Sequence, residues 1–317
     1  MSSNLSIAEL AERHGATLGL EIVHLDPERA HPLPTESTAG GPLPLVGHLN
    51  VVQPNRIQVF GPAELDWWAE RDTADRRSLL RQLISDDLFA IVVTDAQNVP
   101  ADIADAARRH GIPLLRATSS CEQLVSTLRH FLNHELAPRT TRHGVFIDVL
   151  GTGVLLTGDP AVGKSELALE LVSRGHSLVA DDAPEFSRPA PDTIDGESTP
   201  VLKDFLEVRG LGVLNIRSMY GDAAIRHRKR LQLVLHLALL NESLRDQLDR
   251  LNGNIGQTEI LGLGIPSMTL PVAPGRNLAV LVEAAVRNFL LLRRGYTAAD
   301  DLMQRQRQAL DGDTACD

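Results

Sequence analysis

Lysine is nearly missing from this chain. Of 31 basic residues only Lys164, Lys203 and Lys229 are lysine, and arginine supplies the other 28. None of the three follows an asparagine, so the N-K-x-D motif of guanine-reading GTPases is excluded. Base is also short relative to acid: 41 Asp+Glu against 31 Lys+Arg leave a formal net charge of −10. That balance argues against a nucleic-acid binder held by a general positive field. Two cysteines, Cys121 and Cys316, cannot build a disulfide framework. The N-terminal segment lacks the basic-then-apolar layout of a signal peptide, and the expected location is cytoplasmic. Long apolar runs are missing too. The best candidate, Asn277 to Leu292, is interrupted by Glu283, Arg287 and Asn288, whereas a spanning helix needs about 20 largely apolar residues. No membrane span is expected.

What is present is an ordinary globular profile, 317 residues with 43% hydrophobic and 23% charged. At roughly 150 residues per domain this suggests about two domains. Residues 1–137 read as an N-terminal α/β domain with a regulatory or assembly role, and loop-type sequence fills Pro32 to Pro44. Ala90 to Thr94 is a strand-type run, Pro100 to His110 a helix stopped by Gly111, and Ile112 to Leu115 a second strand, giving a β-α-β pattern. Apolar residues at helical spacing predict a helix from Cys121 to Leu136, with Ser119 and Glu122 as its capping box. No convergent set of catalytic residue types is visible in this half, which therefore reads as a packing or docking unit. Trp67 and Trp68 cannot share one face of a regular element, so one is expected in the core and one partly exposed.

Ala137 to Arg142 breaks the pattern, and residues 138–317 are assigned to a second domain. Val145 to Leu150 and Val154 to Thr157 predict a hairpin turning at Gly151-Thr152-Gly153. The second strand runs into Gly158-Asp159-Pro160-Ala161-Val162-Gly163-Lys164-Ser165, which satisfies the phosphate-binding pattern G-x-x-x-x-G-K-[ST] at every fixed position. A helix from Ser165 to Arg174, stopped by Gly175, completes the strand–loop–helix context that aims backbone N–H groups at phosphate oxygens. The residue frequencies of this chain give about 0.002 chance matches to the pattern. Arginine is the default cation here, yet the loop uses lysine, whose compact ammonium reaches between β- and γ-phosphate oxygens.

Ser165 in such a loop turns its hydroxyl to Mg²⁺, which needs further oxygen ligands. Leu178-Val179-Ala180 predicts a strand ending in Asp181-Asp182, and parallel pairing is expected to bring both carboxylates to the nucleotide end of the sheet. One ionised carboxylate can serve the metal and the other can take a proton from an attacking hydroxyl. Arg226 to Arg230 reads as a solvated charge run. Asn277 to Leu292 reads as a helix buried against the core or a neighbouring subunit.

Beyond the loop, five ordered motifs resemble the bacterial HPr kinase/phosphorylase family. They are His143-Gly144-Val145, Arg174-Gly175-His176 through Asp181-Asp182, Leu206-Glu207-Val208-Arg209-Gly210-Leu211-Gly212, Asp249-Arg250-Leu251, and Pro271-Val272-Ala273-Pro274-Gly275-Arg276-Asn277-Leu278-Ala279. Arg56 to Gly61 and Gly111 to Arg116 are similar more loosely. The resemblance implies a C-terminal P-loop kinase domain built on a β-sheet with flanking helices, assembled as a homohexamer. It implies an enzyme that uses ATP to phosphorylate a serine of the phosphocarrier protein HPr, and inorganic phosphate to reverse this with release of pyrophosphate. Carried over residue by residue, Lys164 and the loop Gly158 to Ser165 hold the nucleotide, and Ser165, Glu207 and Asp181 hold Mg²⁺. Asp182 handles the serine proton, while His143 and Arg250 match active-site positions. Pro271, Val272, Ala273, Pro274, Gly275 and Arg276 match the segment tied to dephosphorylation, with Ala273 where the family commonly has arginine. By their residue types alone Glu207, His143 and Arg250 are ordinary surface or loop residues. The loop and carboxylates alone also fit a kinase of a small metabolite, or a regulator that senses ATP without catalysis.

Overall fold

The structure, a computed structural model, describes residues 6–26, 46–51, 55–84, 88–240, 255–273 and 275–313. The chain divides into two compact units, Met1–Ala137 and Pro138–Asp317.

In the first unit β1 (Leu20–His24), β2 (Val46–His48), β3 (Ile57–Phe60), β4 (Ala90–Val93) and β5 (Leu114–Ala117) form a sheet in the order β1-β5-β4-β3-β2. β2 to β5 are parallel and β1 runs antiparallel to β5. β3 and β4 are buried at every position, as strands covered on both faces must be. Alternation then splits the core. Val59 and Val92 pack with α1 (Ile7–Leu18) and α5 (Cys121–Glu135), whereas Phe60, Ile91 and Val93 pack with α2 (Pro62–Ala69), α3 (Thr73–Leu83) and α4 (Ala101–His110).

Three details differ from the sequence reading. β5 starts at Leu114 rather than Ile112, because Pro113 has no N–H for the ladder and offers only its carbonyl, to Ile91 N at 2.9 Å. The α5 cap is Ser120, whose hydroxyl accepts from Gln123 N, while Ser119 N is spent on Leu18 O. The expected Ser119–Glu122 capping box is therefore replaced by a cap one residue on. Of the tryptophans, Trp68 is buried and donates its indole N–H to Asp102 at 3.2 Å, while Trp67 is partly exposed beneath the Arg71 guanidinium.

The second unit is built on β6 (Arg139–Thr141), β7 (Val145–Val149), β8 (Thr152–Gly158), β9 (Ser177–Ala180), β10 (Glu185–Ala190), β11 (Thr193–Glu197), β12 (Phe205–Val208), β13 (Gly212–Asn215), β14 (Arg228–Leu239), β15 (Ile255–Ile260) and β16 (Leu263–Val272). Its helices are α6 (Lys164–Ser173), α7 (Ile216–Tyr220), α8 (Leu278–Arg293) and α9 (Ala298–Asp313). The main sheet runs β6-β10-β11-β14-β8-β7-β9, with β16 and then β15 joined at the C-terminal half of β14. Parallel β8, β14 and β16 form its centre. Period-two alternation again decides the faces. Val145, Ile147, Val154 and Leu156 pack with residues of α6 and α8, while Phe146 and Leu155 pack on the opposite face with Phe186 and Val234.

The β7–β8 turn is tighter than expected, consisting of Leu150 and Gly151, both left-handed at φ 53° and 81°. This is what the right-handed twist of a two-residue hairpin demands. The expected parallel pairing of the Asp181-Asp182 strand is corrected as well. β9 hydrogen-bonds to β7, antiparallel, and β7 in turn lies antiparallel to β8. Two reversals leave β9 running the same way as β8, so Asp181 and the loop after Gly158 still emerge at one end of the sheet.

The basic run at 226–230 is not simply solvated. Arg228 pairs with Glu197, Lys229 with Asp148 at 2.8 Å, and Arg230 with Asp192 as β14 begins. α8 buries Ala279, Val282, Val286 and Phe289 in the core and leaves Val280 and Leu291 exposed. Among the described residues no helix is long and apolar enough to cross a membrane.

Candidate active site

The phosphate-type loop follows β8 and opens α6. Gly158 has φ 141°, and a Cβ there would sit 2.4 Å from Leu237 O on the neighbouring strand β14. Only glycine lets the loop leave the sheet at this point. Gly163, the N-cap of α6, has open space around it but φ 97°, so its requirement is conformational rather than steric. Lys164 Nζ folds back to donate to Gly158 O and Asp159 O, each at 2.9 Å. The ammonium is thus held over the loop, where phosphate oxygens would replace the carbonyls as acceptors.

Asp181 directly follows β9 and is 7% exposed. Its Oδ2 accepts from Glu207 N at 2.8 Å, which ties the β12 hairpin to the main sheet. Burial pushes the Asp181 carboxyl above its ordinary value, against the lowering effect of that backbone N–H. Glu207 itself is exposed because β12 alternates: Leu206 and Val208 enter the core, Phe205 and Glu207 face away. Asp182 adopts φ 63°, a left-handed conformation that aspartate tolerates better than most residues. Gly144 N donates to its carbonyl at 3.1 Å. The side chains of Asp182 and His143 are 77% and 92% exposed, with His143 Nδ1 3.9 Å from Asp182 Oδ1.

These residues share one cleft of about 580 Å³, lined by His143, Lys164, Ser165, Asp181, Asp182 and Glu207 among others. Arg209, a residue to which its sequence context assigns no role, also lines it and adds a second cation. It lies in the turn that follows β12, just past Glu207. Of the segment 271–276, expected from the resemblance to serve dephosphorylation, Pro271 and Val272 end β16, and Gly275 and Arg276 line a cleft with Gly163 and Glu166 of the loop and α6. Arg250 and Pro274 lie outside the described residues.

The donor set of Ser165 hydroxyl with Asp181 and Glu207 carboxylates consists of hard oxygens only, which suits Mg²⁺. Asp181 supplies the direct observation: a buried ionisable carboxyl with no cation salt bridge among the described residues, facing the cleft of the phosphate-type loop.

A strand–loop–helix with its lysine and serine, facing carboxylates across a cleft, defines a P-loop phosphotransferase. Family models narrow the class: HPr Serine kinase C-terminal domain matches residues 134–306 and HPr Serine kinase N terminus matches 5–132. The HPr kinase/phosphorylase of Chromobacterium violaceum is 47% identical over 263 residues, 83% of each chain. That of Burkholderia lata is 42% identical over 311 residues, 98% of this chain and 96% of that one. A solved Hpr(Ser) kinase/phosphatase from Coxiella burnetii is 32% identical, with a TM-score of 0.45, over 50% of this chain and 94% of that chain. The chain belongs to the HPr serine kinase family.

Proposed function

We propose that this protein transfers the γ-phosphoryl group of ATP to a serine hydroxyl of the phosphocarrier protein HPr, and that the same site returns that group to inorganic phosphate with release of pyrophosphate. The observation that carries this reading is the single cleft in which Lys164 and Ser165 face Asp181, Asp182 and Glu207. Transfer of a phosphoryl group needs positioning and charge neutralisation more than covalent chemistry from the protein. Lys164 and the loop N–H groups neutralise the transferring group. Ser165, Asp181 and Glu207 would hold Mg²⁺, whose charge offsets that on the β- and γ-oxygens.

Asp182 is exposed at the cleft, so an incoming hydroxyl can reach it without rearrangement of the core. Its carboxylate takes the serine proton in the forward direction. In the reverse direction the protonated acid returns that proton to the serine oxygen as it leaves. His143 stands beside Asp182 and also lines a second cleft of about 650 Å³ with Arg142, Thr157 and His236. A site that continues past the acid–base residue into a second recess suits a polypeptide acceptor better than a small metabolite. Arg276 is the described cation of the dephosphorylation segment, since Ala273 stands where a second is common.

The test is to incubate the protein with ATP, Mg²⁺ and HPr, and then to add phosphate. Phosphoserine should form first and then disappear with stoichiometric pyrophosphate. Asp182→Asn, which keeps a residue tolerant of left-handed backbone, should bind nucleotide normally and lose transfer by about 10²–10⁴-fold. Label on a histidine of HPr, or normal transfer by the variant, would overturn the mechanism.

A further inference from the structure

We propose that His48, Glu64 and Cys121 form a Zn²⁺ site in the N-terminal unit, with water as the fourth ligand. The three come from separate elements, the end of β2, the first turn of α2 and the first residue of α5. One donor atom from each lies within 4.8 Å of the other two. Glu64 Oε1 is 2.9 Å from His48 Nδ1 and Cys121 Sγ is 3.4 Å from the same nitrogen. Tetrahedral zinc, with bonds of about 2.0–2.3 Å to N, O and S, separates its donors by roughly 3.3–3.6 Å. The two separations from Nδ1 are within a few tenths of an ångström of that spacing, and the third is below 4.8 Å.

The convergence on one ring nitrogen decides between two readings of a Cys–His–Glu cluster. A nucleophilic triad uses opposite ring nitrogens of the histidine, one toward the thiol and one toward the carboxylate. Here both partners point at Nδ1, as ligands around a common centre do.

The surroundings are those of a built site. Glu64 Oε2 accepts from Gly61 N at 3.0 Å, which pins the carboxylate and aims Oε1 at His48. A Cβ at Gly61 would lie 2.9 Å from Glu64 Oε2 and 3.4 Å from Cys121 Sγ, so glycine is what admits both side chains. Asp95 Oδ2 accepts from Cys121 N at 3.2 Å and from the Thr94 hydroxyl at 2.8 Å, which fixes the cysteine backbone. The cluster lies at the carboxyl ends of the parallel strands, where open α/β sheets place their ligands. His48 is 58% exposed in its side chain, which leaves an entry path and room for water. Thiolate, imidazole and carboxylate together select a borderline ion such as Zn²⁺ over Mg²⁺. On binding, the thiol proton leaves to solvent and the sulfur bonds the metal as thiolate.

The full chain carrying Cys316→Ser, stripped with chelator, should bind one Co²⁺ with a thiolate-to-cobalt charge-transfer band, and one equivalent of Zn²⁺ should abolish that band. Cobalt held instead by the oxygen ligands of the catalytic unit gives no such band. Cys121→Ser in the same background should lose the band. His48→Ala, at an exposed position, and Glu64→Gln, which retains an N3 cap, should each weaken Zn²⁺ binding at least tenfold in competition with a chromophoric chelator. Absence of the band in the Cys316→Ser parent, its persistence after Cys121→Ser, or unchanged affinity in His48→Ala would each overturn the assignment.

Discussion

Two residues of the cleft carry opposite relations between stability and function. Among the described residues Lys164 is held only by carbonyls of its own loop, so its replacement leaves the core untouched. Lys164→Arg should preserve the unfolding midpoint while phosphoryl transfer falls about 10²–10³-fold, the usual cost of losing one transition-state charge contact. A planar, bulkier guanidinium cannot take the position of the compact ammonium between phosphates. Steady-state transfer rates set beside a thermal melt check this. Asp181 works the other way. Burial raises its folded-state pKa above the unfolded value, so ionisation costs stability once the pH exceeds both. Asp181→Asn, which can still accept from Glu207 N, should raise the melting temperature at pH 7, with the gain shrinking as the pH falls through the raised folded-state value and largely gone by about pH 4, where the carboxyl is becoming neutral in the unfolded chain as well. Transfer should be lost in the same variant, since the proposed Mg²⁺-ligand role needs the carboxylate and is kept at the expense of stability.

At the scale of elements, the register of α8 on α6 is set by Glu283, which accepts from Arg174 Nε at 2.8 Å and contacts His176 Nε2 at 3.1 Å. These hydrogen bonds hold the Glu283 carboxyl down to about 2. A depressed folded-state pKa contributes stability above the unfolded value near 4.5 and loses it as pH falls through about 2. Glu283→Gln should therefore be less stable than the parent at neutral pH, and the two should converge between pH 4.5 and 2. Chemical denaturation at a series of pH values measures the difference. The sequence predicted α8 from its apolar spacing but not this contact, because Arg174 and Glu283 are 109 residues apart. The Asp181-Asp182 strand shows the same limit in another form. Its apolar character was legible, whereas its partner was not, since hydrogen-bonding to β7 or β8 buries the same residues. The function of the strand survived the misplacement because two antiparallel steps restore the direction that one parallel step would have set.

At the scale of the whole molecule, each unit has hydrophobic clusters of its own among the described residues. The clusters under the N-terminal sheet draw on residues from Ile7 to Leu136, and those of the second unit on Val145 to Leu290. A unit with its own core can fold alone. A fragment starting at Pro138 should unfold in one cooperative transition and still bind ATP, which calorimetry with and without nucleotide would reveal. A fragment that is unfolded, or folded without nucleotide stabilisation, would contradict it.

The catalytic loop was determined by sequence alone, because its chemistry is local. Eight consecutive residues contain the turn-forming glycines, the lysine and the serine, and the flanking periodicity supplies the strand and helix that orient them. Asp181 and Asp182 were legible from the apolar strand they follow, whereas His143 and Glu207 were legible only through motif order, since each residue type is ordinary by itself. His48, Glu64 and Cys121 were beyond reach, being up to 73 residues apart with no pattern linking them. Residues 1–137 therefore read as a unit without convergent chemistry, and only the parallel stacking of β2 to β5, which brings strand ends and helix starts to one edge, put three metal-ligating atoms together.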